Sequence, residues 1–235
     1  MLLAKPSQHL VRRPMSILDE GDGWRSYMVK PVGPATRELV ATRVGDPLEA
    51  SEPLGNGFPL PEELGPGPLL LVGGGFGIAP LHFLARRLDA MRHPPKYSIL
   101  YGGRTARDVE REVLDDVLGP VLPSTDDGTL GFHGTCVDLC VREVERMEQR
   151  TASAVVLTCG PHAMMRALFD AVQDRVPTIH VSLEEIMACG VGVCMGCVAH
   201  TREGYVPICT HGPVFAAGEI FGFEHQLSHG ESAHE

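Results

Sequence analysis

At 235 residues, 43% hydrophobic and 21% charged, the chain is long enough for a large buried core and has no disorder-prone bias. A net charge of −10 without a basic stripe argues against nucleic acid or an anionic membrane as the main partner. Pro68 to Ala85, the most apolar stretch, is broken by Gly73, Gly74, Gly75, Gly77 and Pro80 and cannot span a bilayer; with no tripartite leader at the start, a cytoplasmic protein is expected.

In chain order, residues 1–64 show no helical period. Gly/Pro punctuation ("VGP", "VGDP", "PLGNGF") separates short strand-like pieces such as "SYMVKPV", which suggests part of a small β-domain. Residues 65–186 alternate apolar runs with helical patterns. "PLLLVGGG", "KYSILYGGR", "SAVVLTCG" and "TIHVSLEE" read as strands. "APLHFLARRLDAM", "ARDVEREVLDDVL", "TCVDLCVREVERM" and "HAMMRALFDAVQDR" read as helices. Strands this apolar are buried on both faces, so this zone is expected to be α/β, a doubly wound parallel sheet with crossover helices. Residues 187–235 are glycine-rich and irregular, with a fold that depends on what their cysteines hold.

Three motifs carry chemistry. In "LLLVGGGFGIAPL", Gly73, Gly74, Gly75 and Gly77 stand where a strand turns into a helix, with Pro80 in the first helical turn. Such a turn lets backbone approach a pyrophosphate at a helix N-terminus; the competing reading is a tight turn with no ligand, and the spacing departs from G-x-G-x-x-G. A second strand end, Cys159-Gly160-Pro161, sits where ligands bind in parallel sheets, although a lone Cys159 also fits a core thiol. Cys189, Cys194 and Cys197 follow C-x4-C-x2-C, with Cys209 eleven residues on, the plant-type spacing of a [2Fe–2S] cluster. Zinc ribbons prefer paired C-x2-C arms, which Cys189 and Cys194 do not supply. A Rieske arrangement using His200 and His211 would leave Cys189 and Cys194 idle and reverse the motif order. Cys136 and Cys140, four apart on a predicted helix, are read as one buried face.

Taken together, "RRPMSI" (12–17), "VGPAT" (32–36), "PLGNGF" (53–58), "GGGFGIAPL" (73–81), "STDDGTLGFHG" (124–134), "CGPHAMM" (159–165) and the cysteine array resemble the electron-transfer subunit of class 1B dihydroorotate dehydrogenase, a branch of the ferredoxin-reductase-like flavoproteins. The resemblance implies an FAD-binding β-barrel, an NAD-binding domain and a cluster lobe. Arg13, Pro14, Met15 and Ser16 match the family's Arg-Pro-x-Ser motif, with the guanidinium on the FAD pyrophosphate and the serine and backbone facing the isoalloxazine. Met28, Val29 and Lys30 match the strand along the flavin, and Ala35 and Thr36 match a phosphate-facing Gly-Thr pair, Ala35 replacing the glycine. Only twelve residues precede Arg13 where family members have several strands, so a partial barrel, truncated at its N-terminus, is expected.

The resemblance further implies a relay. Dihydroorotate is oxidised at FMN in a separate catalytic subunit, and electrons pass through [2Fe–2S] and FAD to NAD+, in a heterotetrameric complex of pyrimidine biosynthesis. Cys159 would lie near the nicotinamide and Gly73 to Pro80, with Gly160 and Pro161, near the dinucleotide. Met187, Val191, Val193 and Met195 offer apolar side chains that such a partner could cover. Rival readings are a sister relay (NADH-dependent ferredoxin:NADP+ oxidoreductase, hydrogenase or sulfite reductase subunits) and a flavin-less, cluster- or zinc-stabilised interaction subunit.

Overall fold

A computed structural model describes residues 2–3, 12–109, 111–149 and 153–223. Residues 224–235, assigned by sequence to the cysteine zone, lie outside the described residues. The N-terminal region holds β1 (Leu2–Leu3), β2 (Asp19–Gly21), β3 (Trp24–Ser26), α1 (Pro34–Val40), β4 (Glu49–Ala50) and α2 (Pro61–Leu64). The central region runs β5 (Leu69–Gly74), α3 (Ile78–Asp89), β6 (Tyr97–Gly103), β7 (Val121–Thr125), β8 (Phe132–His133), α4 (Cys136–Glu148), β9 (Val155–Cys159), α5 (His162–Val172) and β10 (Thr178–Ser182). The cysteine region ends with β11 (Val198–Thr201), β12 (Gly204–Pro207), α6 (Ile208–His211), β13 (Val214–Ala216) and α7 (Ala217–Ile220).

Seven strands form one sheet in the order β13-β10-β9-β5-β6-β7-β8, parallel except for β13. Every residue of β5 is buried, as its unbroken apolar run requires. Successive side chains of a strand point to opposite faces. Leu69 and Leu71 accordingly pack with Ile78, Leu81, Leu84 and Leu88 of α3, and Leu70 and Val72 with Leu139 and Val144 of α4 and Met165 and Leu168 of α5. The expected doubly wound α/β sheet is present. Among the described residues no helix is long and apolar enough to cross a membrane.

Helix α4 shows how local sequence sets an element's start. Thr135 accepts the Asp138 N–H at 3.1 Å and donates its hydroxyl to the Asp138 carboxylate at 2.7 Å, while the Thr135 N–H donates to the same carboxylate at 3.0 Å. These bonds, hydroxyl first, hold the Asp138 carboxyl below its ordinary value. A depressed folded-state value contributes stability above the ordinary carboxylate range and loses it as pH falls through the folded value. Thr135→Ala is therefore expected to cost about 1 kcal/mol in a denaturant melt at pH 7. The same substitution should cost measurably less in strong acid.

The structure departs from the sequence reading in several places. "ARDVEREVLDDVL" is not an α-helix but 3-10 turns at Ala106–Asp108 and Arg111–Leu114. Val109 and Leu114 are both buried, yet five positions apart on an α-helix they would diverge; an extended Val109 turns both inward. Strand β7 is an addition to the elements read from sequence; Pro123 lies inside it, a residue that strand interiors seldom hold. Residues 1–64 contain two short helices despite their lack of helical period. They hold two short antiparallel ladders, β1–β4 and β2–β3, and no closed barrel among the described residues.

This N-terminal region is docked on α3. The buried His82 ring places Nδ1 2.7 Å from the Leu18 carbonyl and Nε2 2.8 Å from Asp116 Oδ1, while Arg86 pairs with Asp116 at 3.3 Å. At the other edge, β13 lies antiparallel to β10, and Cys197, Ile208, Cys209, Phe215 and Phe221 belong to the same buried core as Leu70 and Val72. The cysteine region is therefore welded to the α/β sheet.

Candidate functional site

The strand order reverses between β5 and β9, and ligands of open parallel sheets bind at such a switch, beyond the strands' carboxyl ends. Gly73 and Cys159 are paired in register there, so the two strand-end motifs that the sequence presented separately meet at one crevice. Gly77 is forced by packing: a Cβ on it would collide with the Cys159 carbonyl and the following peptide. A Cβ on Gly74 would run into the Met164 sulfur and press on Pro161. Gly75, in contrast, is at φ +54° with open space where a side chain would be, a bare stretch of backbone ahead of α3. Pro80 occupies the third position of α3, and Pro161 immediately precedes α5, so two helix N-termini face the crevice.

Cys159 is 1% exposed, and burial pushes its thiol up to about 12, with the nearby Glu184 carboxylate adding to the effect. It is a neutral wall of the crevice at physiological pH, not a thiolate nucleophile. Beside it the wholly buried Thr158 donates its hydroxyl to the Val72 carbonyl at 2.8 Å, tying β9 to β5 under the switch.

The residues matched to the flavin motif belong to the N-terminal region, which docks on α3. Arg13, Pro14 and Met15 are half-buried and Ser16 is exposed. Met28 packs against the α3-side core and Val29 is half-buried. The Lys30 ammonium stands 5.7 Å from the centre of the Phe76 ring, inside the glycine loop. Segment 28–30 is thereby laid against loop 73–77. Ala35 is buried in α1, and the Thr36 hydroxyl turns back to Gly33, accepting its N–H at 2.9 Å.

The four cysteines of the C-terminal array converge. Cys189 lies beside Cys194 and Cys209 beside Cys197, and Cys209 also lies near enough to Cys189 to feel its charge. Three cysteine thiols in C-x4-C-x2-C spacing and a fourth eleven residues on, brought together on one loop and the turn of α6, are the donor set a [2Fe–2S] cluster takes, so the residues present fit that group. The winding of the loop serves the sulfurs: Gly190, Gly192 and Met195 adopt positive φ. The Gly192 N–H points to Cys209 Sγ at 3.2 Å, the Cys194 and Val191 N–H groups to Cys189 Sγ at 3.4 and 3.5 Å, and the Gly196 N–H to Cys194 Sγ at 3.4 Å. The Val191 and Cys194 donors bring the Cys189 thiol down to about 6, whereas burial raises that of Cys209. N–H groups aimed at sulfur stabilise thiolate and tune any bound cluster.

The two pairs differ in depth. Cys197 and Cys209 are each 2% exposed, while Cys194 is exposed, in a stretch of chain where Ile186 (82%), Val191 (61%), Val193 (80%) and Met195 (49%) are exposed too. Of the apolar residues singled out from sequence, Met187 instead packs into the core. Cys136 and Cys140 are buried on α4, their thiols pushed up to about 11 and about 12 by burial. Sequence reasoning gave no role to Gly55 and Asn56, which the structure places against the segment following Cys209. The "LGNG" stretch signals a turn and does not reveal what the turn touches.

A family model for the iron–sulfur cluster binding domain of dihydroorotate dehydrogenase B matches residues 184–221, which include all four array cysteines. The chain is 37% identical over 217 residues to the electron transfer subunit of dihydroorotate dehydrogenase B (NAD(+)) from Shouchella clausii, covering 90% of this chain and 80% of the relative. It is likewise 37% identical over 224 residues to that of Geobacillus thermodenitrificans, covering 93% and 83%. Among solved structures it is similar to an NADH-dependent reduced ferredoxin-NADP oxidoreductase (TM-score 0.75, 25% identity, 97% of this chain and 80% of that one). Phthalate dioxygenase reductase shares the fold (TM-score 0.57, 18% identity, 92% and 83%).

Proposed function

The chain belongs to the family of dihydroorotate dehydrogenase B electron-transfer subunits, and from that premise we propose that it links a dihydroorotate-oxidising catalytic subunit to NAD+ in pyrimidine biosynthesis. The observation that carries the reading is the convergence of Cys189, Cys194, Cys197 and Cys209 in a lobe packed on the same sheet that carries the glycine-lined switch crevice. When bound, the cluster supplies single-electron transfer and FAD the conversion of single electrons to a hydride for the nicotinamide.

The remaining work falls to the chain's own residues. Cys189, Cys194, Cys197 and Cys209 would hold the cluster, and backbone N–H groups stabilise their sulfurs. Arg13 to Ser16, Met28 to Lys30, and Ala35 and Thr36 of α1 would hold FAD. Gly73, Gly74, Gly75, Gly77 and Pro80 would admit the dinucleotide, with Cys159, Gly160 and Pro161 at its nicotinamide end. Ile186, Val191, Val193 and Met195 form the face on which a flavin-containing catalytic partner would sit, in a cytoplasmic heterotetramer.

The visible spectrum and reactivity of the purified chain test this. Flavin and [2Fe–2S] bands are expected together, with oxidation of NADH by artificial acceptors and no reaction with dihydroorotate. Co-expression with the catalytic subunit should give a stable complex that reduces NAD+ with dihydroorotate. Two subunits that neither co-purify nor show that activity, while ferredoxin reduces the flavin readily, would transfer the assignment to a sister relay. The similarity to the ferredoxin-NADP oxidoreductase makes that the second reading.

A further inference from the structure

The PLGNGF segment, residues 53–58, crosses from the N-terminal region to the cysteine array. The Asn56 N–H donates to the Gly212 carbonyl at 2.6 Å, and its Nδ2 donates to the His211 carbonyl at 3.0 Å. Asn56 also forms a β-bridge with Pro213. Gly55, at φ +75°, lies so near Gly212 that a Cβ would run into its carbonyl oxygen. Two residues beyond Asn56, Phe58 packs into the α3-side core that also receives Met28.

The elements so gripped are packed on the main core through Ile208 and Cys209, and Asn56 adds their tie to the N-terminal region. Helix α6 is a single turn, Ile208–His211, and it carries Cys209. The last carbonyls of a helix lack partners within it, and here Asn56 supplies donors to His211 and to the following Gly212. A loop rooted beside the flavin-motif strand therefore ends on the residues directly after a cluster ligand. Transfer of an electron between two bound groups falls steeply with their separation, so a turn of helix that drifts degrades it without any ligand being lost.

We infer that Gly55 and Asn56 are positioning residues, a clamp that fixes the Cys209 turn against the flavin-side segment and so sets the path between cluster and flavin. The inference rests on the reading above, in which the chain holds both groups.

Two variants separate this from simple stabilisation. Asn56→Ala removes one side-chain bond and leaves the backbone bond to Gly212 intact. Gly55→Val drives a side chain into the Gly212 carbonyl. Both are expected to keep wild-type iron and flavin per chain and wild-type NADH oxidation by an artificial acceptor that draws on the flavin. Bleaching of the cluster by NADH in rapid mixing should slow several-fold in Asn56→Ala and by about tenfold or more in Gly55→Val, the scale of an ångström-level misplacement. The reduced cluster's EPR line shape should change in the same order. Asn56→Asp, which keeps the shape and loses the donor, should resemble Asn56→Ala.

Wild-type bleaching rates in both glycine and asparagine variants would overturn the inference. Parallel loss of iron, flavin and every activity would overturn it too, by reducing the clamp to a folding contact. A wild-type chain lacking flavin or cluster bands would instead sink the underlying reading, and the clamp with it.

Discussion

Cys209→Ser is expected to abolish the [2Fe–2S] absorbance and, with it, all transfer between the chain and a catalytic partner. Cys209 is deeply buried, sits on the single turn of α6 and lies beside Cys197, so its loss removes one of two thiols from the inner pair. Metal binding and folding are coupled, and here the coupled residues belong to the main core, so the lobe should loosen as well. Cys194→Ser should bleach the cluster to the same extent with a smaller fall in thermal stability, because Cys194 is exposed and supports no core packing. Cys136→Ser and Cys140→Ser are the controls. Each buries a hydroxyl where a thiol was, at a cost of roughly 1–3 kcal/mol, and each should retain full iron. Iron per chain, visible absorbance and a thermal melt on the four proteins decide the ligand set. Bleaching by Cys136→Ser or Cys140→Ser at undiminished fold stability would show the ligands to be wrongly assigned.

Gly77→Val should strike the other end of the relay. The obstacle to a side chain at this position is the Cys159–Gly160 peptide, which is backbone and cannot swing away. Overpacking of this kind costs about 1–3 kcal/mol, and in a protein of this size each kcal/mol lowers the melting temperature by about 2–4 °C. Because the collision separates β5 from β9 at the switch, NADH affinity should fall by about tenfold or more, as expected when a positioned contact shifts by an ångström. The cluster should remain bound. Gly75→Ala is the informative partner: it meets no atoms but must hold φ +54°, so a strain of about 1–2 kcal/mol replaces the clash. Titration of each variant with NADH, followed through the flavin spectrum, checks the order. Wild-type affinity in Gly77→Val would remove the glycine loop from the dinucleotide site.

What could be read from residues alone followed a physical divide. The central strands were legible because burial on both faces leaves an unbroken apolar run, as in Leu69 to Val72, and the cysteine array was legible because ligand spacing is written directly into the chain. The meeting of Gly73 with Cys159 was half legible. Each motif announced a strand end, but only sheet order makes them neighbours. Val109 and Leu114 defeated the helical period because tertiary burial overrode it, and β7 holds a proline that strand interiors seldom do. The grip of Asn56 on His211 was invisible, since a contact between residues 155 positions apart leaves no local trace.

The antiparallel pairing of β13 with β10 has a bearing on how the protein fails. Without β13, the Ile179 and Val181 strand would become the open margin of a parallel sheet, with unpaired amides and carbonyls along its length. Such a margin recruits strands from other molecules. Because β13 follows α6 after two residues, the integrity of the iron site and the concealment of that margin stand or fall together. Loss of the cysteine region's order would then expose a pairing-ready strand margin.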